Sequence, residues 1–322
     1  SYSNKNIKIK IMIKKIIIGF SSLIVLVIVT LYFTTRPQVE DDGSYKPSAL
    51  ALNLTTVSKS DFEDVSYTKY QGVKSKVLVI FTEQKNLLMK NGKMFSTGNN
   101  PIESLLPMLH LKNAGFDFEI ATPTGKPVVF EMWGFPQEDE HVNAIYNEYK
   151  SNFEHPKRLA DFINTSFPDI DSYAAVFVPG GHGAMLGIPE DRNVDSVLRW
   201  AHKNDLFTIT LCHGQGALLS TTLDDQEFLY DGYRMAVFPD AIDEMTPMIG
   251  YLPGYMTSGL SEKLKSLGAT IVNTEADNTV CIDRKLITGA SPLASNELGK
   301  LAANTLLKEL VYGVGEAAAG YR

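Results

Sequence analysis

LFTITLCHGQGALLS, residues 206–220, decides the fold. A β-branched apolar run stops at Cys212, and a small-residue helix begins without a linker. A nucleophile on such a strand-to-helix elbow stands exposed at the carboxyl end of a sheet. The helix dipole and the first backbone N–H groups are expected to lower its thiol pKa. Gly214 and Gly216 permit the sharp turn and close packing. The competing reading of Cys212 is a small buried apolar residue, the usual place of a free cysteine.

The same alternation runs outward from the elbow. KVLVIFT (76–82), FDFEIAT (116–122), YAAVFVP (173–179), YRMAVF (233–238) and ATIVNT (269–274) read as further strands, mostly parallel and buried on both faces. Helices are expected near 100–115, 156–165, 191–203, 213–222, 258–267 and 291–311. In the first of these Asn100 is the N-cap, Pro101 takes the first position, and Pro107 should bend or loosen the interior. VCIDRKLIT (280–288) reads as a hairpin turning at Asp283 to Lys285. Strand and helix in alternation give an α/β, doubly wound sandwich over residues 75–312. Residues 34–74, rich in Ser, Thr, Asp, Tyr and Pro, read as a linker and extended arm with little regular structure. GVGEAAAGYR (313–322) reads as a flexible tail.

Before the arm, five lysines in the basic segment 1–15 precede IIIGFSSLIVLVIVTLYF (16–33), an uncharged apolar run about as long as a bilayer core is thick. It has no amphipathic face for a core helix, and the TTRPQ that follows lacks a signal-peptidase pattern. The expectation is an uncleaved single-pass anchor, with a cleaved signal peptide as the alternative. The positive-inside rule puts the lysines in the cytoplasm and the domain on the periplasmic, extracellular or lumenal side. The chain carries 30 basic and 37 acidic residues, and beyond Val39 the balance is 24 against 37, a net charge of −13. Such an acidic body argues against nucleic acid or an anionic membrane surface as the main partner of the folded part. Two cysteines, Cys212 and Cys281, are too few for a disulfide framework or a four-thiolate zinc site.

A second strand end, YAAVFVPGGHGAMLG (173–187), brings Gly180, Gly181 and His182 beside the elbow. The N–H groups of the two glycines, with that of His213, could form an oxyanion pocket. Dinucleotide binding fits poorly, because Gly181, Gly183 and Gly187 give G-x-G-x-x-x-G rather than the fingerprint. Candidate acids and bases are His213, His182, Glu103 and Asp243, the last in FPDAIDEMTP. His213 and Asp243 could equally be surface or capping residues, and Glu103 could reach back to cap its helix at Asn100. The six histidines show no H-x-x-x-H pair and no H-E-x-x-H motif. Asn53-Leu54-Thr55 and Asn164-Thr165-Ser166 match glycosylation sequons, which matter only in a eukaryotic secretory pathway.

Five strings in order carry a family resemblance: NGKMFSTGNNPIESLLPMLHL (91–111), FVPGGHGAMLGIPE (177–190), LCHGQGALL (211–219), FPDAIDEMTPMIGYLPG (238–254) and DRKLITGASPLASNELGKLAA (283–303). From Ser44 to Tyr312 the chain resembles the ThiJ/PfpI superfamily, related to class I glutamine amidotransferases, and within it the HchA-type branch of glyoxalases and holding chaperones. The resemblance implies a flavodoxin-like sandwich with a small inserted cap domain, assembled as a homodimer. It implies a triad at Cys212, His213 and Asp243, with Glu103 against the thiol, and conversion of methylglyoxal to lactate without glutathione or an organic cofactor. Protein deglycation, binding of unfolded clients without catalysis, thiol-based stress sensing and amidase or peptidase activity are the alternatives it brings. Two departures stand out. The branch has a His, Glu, His metal site where this chain has Lys112, Asp117 and Gln137, so no zinc is expected there. Gln215 and Gly216 replace small apolar residues or proline after C-H-G, which could alter substrate fit or helix geometry.

Overall fold

The computed structural model describes residues 2–166 and 170–312. In chain order its helices and strands are α1 (Tyr2–Thr35), β1 (Gln38–Val39), β2 (Tyr45–Lys46), α2 (Ala49–Thr55), β3 (Lys76–Ile80), β4 (Asn86–Leu88), β5 (Met94–Ser96), α3 (Pro101–Asn113), β6 (Asp117–Thr122), α4 (Glu140–Glu154), β7 (Lys157–Arg158) and α5 (Leu159–Ser166), then β8 (Tyr173–Val178), α6 (Arg192–Lys203), β9 (Phe207–Leu211), β10 (Arg234–Met235), α7 (Asp240–Met245), α8 (Leu260–Ser266), β11 (Thr270–Ile271), β12 (Val280–Asp283), β13 (Leu286–Gly289) and α9 (Ser295–Tyr312).

Seven strands form the central sheet in the order β12-β13-β9-β8-β3-β6-β7. Every neighbouring pair is parallel except the β12–β13 hairpin. All six residues of β8 and all five of β9 are buried, as a central strand covered on both faces requires. One core lies under α3, α4 and α9, where Leu105, Met108, Phe153 and Leu298 meet Val77 and Phe177. The other lies under α5, α6 and α8, where Phe162, Leu198 and Leu264 meet Leu78 and Val176. This is the expected flavodoxin-like, doubly wound α/β arrangement.

The tertiary structure corrects several expectations. The predicted strands at 233–238 and 269–274 stay outside the central sheet and pair with each other for only two residues each, as β10 and β11. α3 forms as expected and continues through Pro107 to Asn113. The elbow helix is a 3-10 helix, Cys212–Asp225, broken at Leu223 and Asp224. Helix α4 was not foreseen, although Asp139 caps it through Val142 N–H, and Val142, Ile145, Tyr149 and Phe153 recur at helical spacing on its buried side.

The arm is more ordered than its composition suggested. β1 and β2 join β5 and β4 in a second sheet, ordered β1-β2-β5-β4, so the cap is built partly from the arm and partly from the insertion after β3. Ser48 caps α2 by accepting from Ala51 N–H. Beyond it the arm is extended, and backbone polar groups find partners on the domain, Tyr70 N–H donating to Ala114 O and Ser60 N–H to Asp139. α1 is the one described helix long and apolar enough to cross a bilayer, over Met12–Thr35, and none of that stretch is buried. The 313–322 segment lies outside the described residues.

Candidate active site

The site stands at the carboxyl ends of β8 and β9. Cys212 has φ of +59°, in the left-handed region where a side chain is strained. That turn carries the thiol off the end of β9 toward α3 rather than onto a sheet face. Its sulfur lies 3.3 Å from His213 Nδ1, and His213 Nε2 lies 2.8 Å from Asp243 Oδ2. Asp243 comes from α7, thirty residues later, and is 93% shielded from solvent. An Nε2–H donated to the carboxylate leaves the Nδ1 lone pair facing the thiol, the tautomer a base needs.

His182 has a different place from the one expected. Its Nε2 lies 2.9 Å from Asp243 Oδ1, so two imidazoles share one carboxylate, their rings 4.1 Å apart. Burial opposes ionisation of Asp243, but His213 and His182 outweigh it and hold the carboxyl below its usual range. His182, His213 and Asp243 also form a grouping of metal-ligand types among the described residues. The ring nitrogens nearest the carboxylate are already bonded to it, which accounts for the arrangement without an ion.

Glu103 projects from the first turn of α3 and is 1% exposed. It does not close a capping box. Asn100 Oδ1 accepts from Ile102 and Glu103 N–H, while Asn100 N–H donates to Gly180 O. The carboxyl instead meets the Cys212 thiol and the Gly181 N–H, and its Oε2 has no hydrogen-bond partner. The glycines make this approach possible. A Cβ on Gly180 would overlap Glu103 Oε2 and stand 2.8 Å from Cys212 Cβ. A Cβ on Gly181, at φ +98°, would stand 2.5 Å from Gly98 O and Asn100 N.

The electrostatics reverse one expectation. Burial pushes the Cys212 thiol well up, Glu103 and Asp243 push it further, and the His213 N–H offsets only part of this. Burial also raises the Glu103 carboxyl, with Glu131 adding to it. Two buried acids in contact cannot both ionise cheaply, so each raises the cost of ionising the other. Two of the three N–H groups expected for an oxyanion pocket are engaged at rest, that of Gly181 with Glu103 and that of His213 with the sulfur.

Two residues at the site were missed in the sequence. Glu131 is buried, accepts from Thr97 Oγ1 at 2.6 Å, and faces the amide of Asn100. Burial lifts its carboxyl to about 7, against Thr97, His182 and Asn100, which lower it. An acid inside VVFEMW was the available signal. Tyr251 packs its ring on Phe95 and His182 and covers the site from the 246–254 loop. Cys212 is only 2% exposed under this cover.

The departures from the family pattern find physical places. Gln215 donates to Ala236 O at 2.6 Å and Gly289 O at 2.9 Å, so it ties the end of β13 to the segment just beyond β10. At the metal-site positions, Lys112 Nζ lies 2.6 Å from Glu148 Oε1, 2.8 Å from Tyr149 Oη and 3.6 Å from Asp117 Oδ1, and Tyr149 Oη also donates to Asp117. Gln137 contributes its carbonyl to Asn143. A cation already sits among the acids there, and the donor set does not suit zinc. Cys281 is buried in β12, away from this chemistry, and burial raises its thiol.

No family model matches the chain. Over 280 residues, 86% of this chain and 98% of the relative, it is 46% identical to the protein/nucleic acid deglycase HchA of Escherichia coli O157:H7. The same identity and coverage hold for protein/nucleic acid deglycase 1 of Escherichia coli strain K12. Among solved structures, the rapid encystment protein 24 kDa of Francisella tularensis superposes with a TM-score of 0.60 at 21% identity, over 72% of this chain and 99% of that one. Glyoxalase III from Candida albicans gives 0.57 at 20% identity, over 72% and 98%. These two likenesses establish the shared fold.

Proposed function

The chain belongs to the HchA-type branch of the ThiJ/PfpI superfamily, and from that premise we propose that it is a cysteine-dependent, glutathione-independent glyoxalase that converts methylglyoxal to lactate. The observation that carries the reading is the row Glu103, Cys212, His213, Asp243, in which a thiol stands between a base and a buried carboxyl. The HchA relatives are named deglycases, which favours action on carbonyl adducts of proteins or nucleic acids as a second activity of the same thiol.

The residues account for each proton. The Cys212 S–H proton passes to His213 Nδ1 as sulfur bonds the aldehyde carbon, and Asp243 stabilises the imidazolium. The new alkoxide takes the Glu103 proton and becomes a hemithioacetal. The Glu103 carboxylate then removes the C–H proton from that carbon, while the imidazolium protonates the neighbouring carbonyl oxygen, giving an enediol. Glu103 returns its proton to the second carbon and recovers one from the first hydroxyl, which leaves a lactoyl thioester on Cys212. Water, deprotonated by His213, attacks the thioester. Sulfur leaves with the imidazolium proton, and lactate is released. The oxidation of one substrate carbon balances reduction of the other, so no external oxidant enters.

We also propose that α1 anchors the enzyme in a membrane, with the domain on the non-cytoplasmic side, and that the assembled form is a homodimer. The uncharged run 16–33 behind five lysines supports the first. Carbonate-resistant membrane association of a chain whose intact mass retains residues 12–35 is the expected result, and release of the chain into the soluble fraction refutes it. The catalytic reading is tested by lactate formation without glutathione, beside Cys212→Ser. Lactate from the parent and none from the variant is expected. A folded parent that forms none removes the glyoxalase reading and favours a non-catalytic holding chaperone or thiol sensor.

A further inference from the structure

The cover of the site is joined directly to the end of α1. Gly250, at φ +71°, lies so close to Thr35 O that any side chain there would overlap it. Ser48 donates its N–H to Gly250 O at 2.8 Å and its hydroxyl to Ile249 O at 2.6 Å. The carboxyl end of α1 thus packs on the loop that carries Tyr251, and Ser48, thirteen residues further along the arm, is hydrogen-bonded to the same loop.

This junction fixes a level. The apolar run ends at Phe33, and Thr35 follows by two residues, a rise of about 3 Å. Tyr32, Phe33 and Arg36 cluster at the same turn, Arg36 Nη1 donating to Tyr32 Oη at 3.2 Å, the residue types that mark a membrane–water interface. Gly250 therefore stands at headgroup depth whenever the run is in a hydrocarbon core. On that same segment Met248 is 70% exposed, Met245 55% and Tyr255 53%, and Leu54 on the adjoining α2 is 63% exposed. Flexible, apolar side chains projecting at that depth are what an interfacial surface presents.

We propose that the 245–255 segment lies on the surface of the bilayer that α1 crosses, with Met245 and Met248 inserted among the lipids. The inference rests on the anchor reading of α1. Its consequence is that the loop covering Cys212 is a lipid-contacting element, so the site opens beside the membrane and not toward bulk solvent.

The test uses the full chain reconstituted into phosphatidylcholine vesicles, with an environment-sensitive fluorophore at Met248→Cys, at Met245→Cys as a second position, and at Lys203→Cys, exposed at the end of α6 just before the amino end of β9, across the sheet from the strand ends that carry the site. Cys212 and Cys281 are buried and leave the new thiol as the reactive one. Blue-shifted emission at 248 and 245, quenched at least about twofold by nitroxide-bearing lipid while 203 stays water-like, is the expected result. Vesicle-bound chain with a water-like signal at both sites overturns the inference and leaves the anchor standing. A blue shift without lipid quenching also overturns it, because a second copy then covers the segment. A chain that fails to float with the vesicles overturns the anchor reading and this inference together.

Discussion

Replacing Asp243 by Asn removes one negative charge from the centre of the site and keeps the side chain's shape. In the wild type the carboxylate accepts from His213 Nε2 at 2.8 Å and from His182 Nε2 at 2.9 Å, inside a nearly solvent-free cluster. When Cys212 gives up its proton, His213 becomes an imidazolium whose charge centre lies roughly 4 Å from that of the carboxylate. At an effective dielectric constant of about 20 this attraction amounts to about 4 kcal/mol. The variant forfeits it in the transition state, and at 1.36 kcal/mol per decade the expected fall in turnover is about 10³-fold. The assay is lactate formation from methylglyoxal without glutathione, in parent, Asp243→Asn and Cys212→Ser, each shown folded by near-ultraviolet circular dichroism. A well-folded Asp243→Asn within about tenfold of the parent refutes the reasoning, since the imidazolium would then form about as readily without the carboxylate's charge.

Four further outcomes follow from the structure. Gly180→Ala drives the Glu103 carboxyl off the thiol, and turnover falls roughly 10²-fold with little change in the far-ultraviolet spectrum; unchanged turnover would separate Glu103 from the chemistry. Glu131 is lifted from 4.5 to about 7, so folded protein binds the extra proton between those values, and the stability this contributes is complete below pH 4.5 and lost as pH rises through about 7. Urea unfolding of Glu131→Gln should therefore gain on the wild type by about 3 kcal/mol between pH 4.5 and pH 8, and a gap independent of pH contradicts the buried-acid assignment. Purified protein should carry no stoichiometric zinc and keep its melting temperature within about 1 °C on zinc addition, because Lys112 holds the acids of the metal-site positions. Lys112→Met, at a half-exposed cluster, should cost about 1 kcal/mol or less.

How far the sequence reached depended on the range of the interaction involved. Apolar runs and helix periodicity are local, so β3, β6, β8, β9, the β12–β13 hairpin, α3 and α6 are legible from neighbours alone, as is the elbow at Cys212. The short β4 and β5 were not, since three-residue strands have no period to read, and the arm's two-residue strands form only because the cap offers them a partner. YRMAVF and ATIVNT have strand composition, yet the central sheet ends at β12, and nothing local to either run says so.

The site divides the same way. Steric requirements at a strand-to-helix turn place Cys212 and His213 together, and family strings single out Asp243 and Glu103, so these four were named from the sequence, while Glu131, Tyr251 and the contact of His182 with Asp243 were not. What each does to the others was decided by the tertiary structure. Burial raises the thiol that the helix dipole was expected to lower, because removing a charge from water outweighs a partial dipole at a helix end. Asp243 serves two histidines because the Gly180–Gly181 turn swings His182 beside His213, and Glu131 enters the cluster from 28 residues beyond Glu103. Charge, solvation and contact at that distance depend on where the folded chain returns, and one-dimensional spacing carries no record of it.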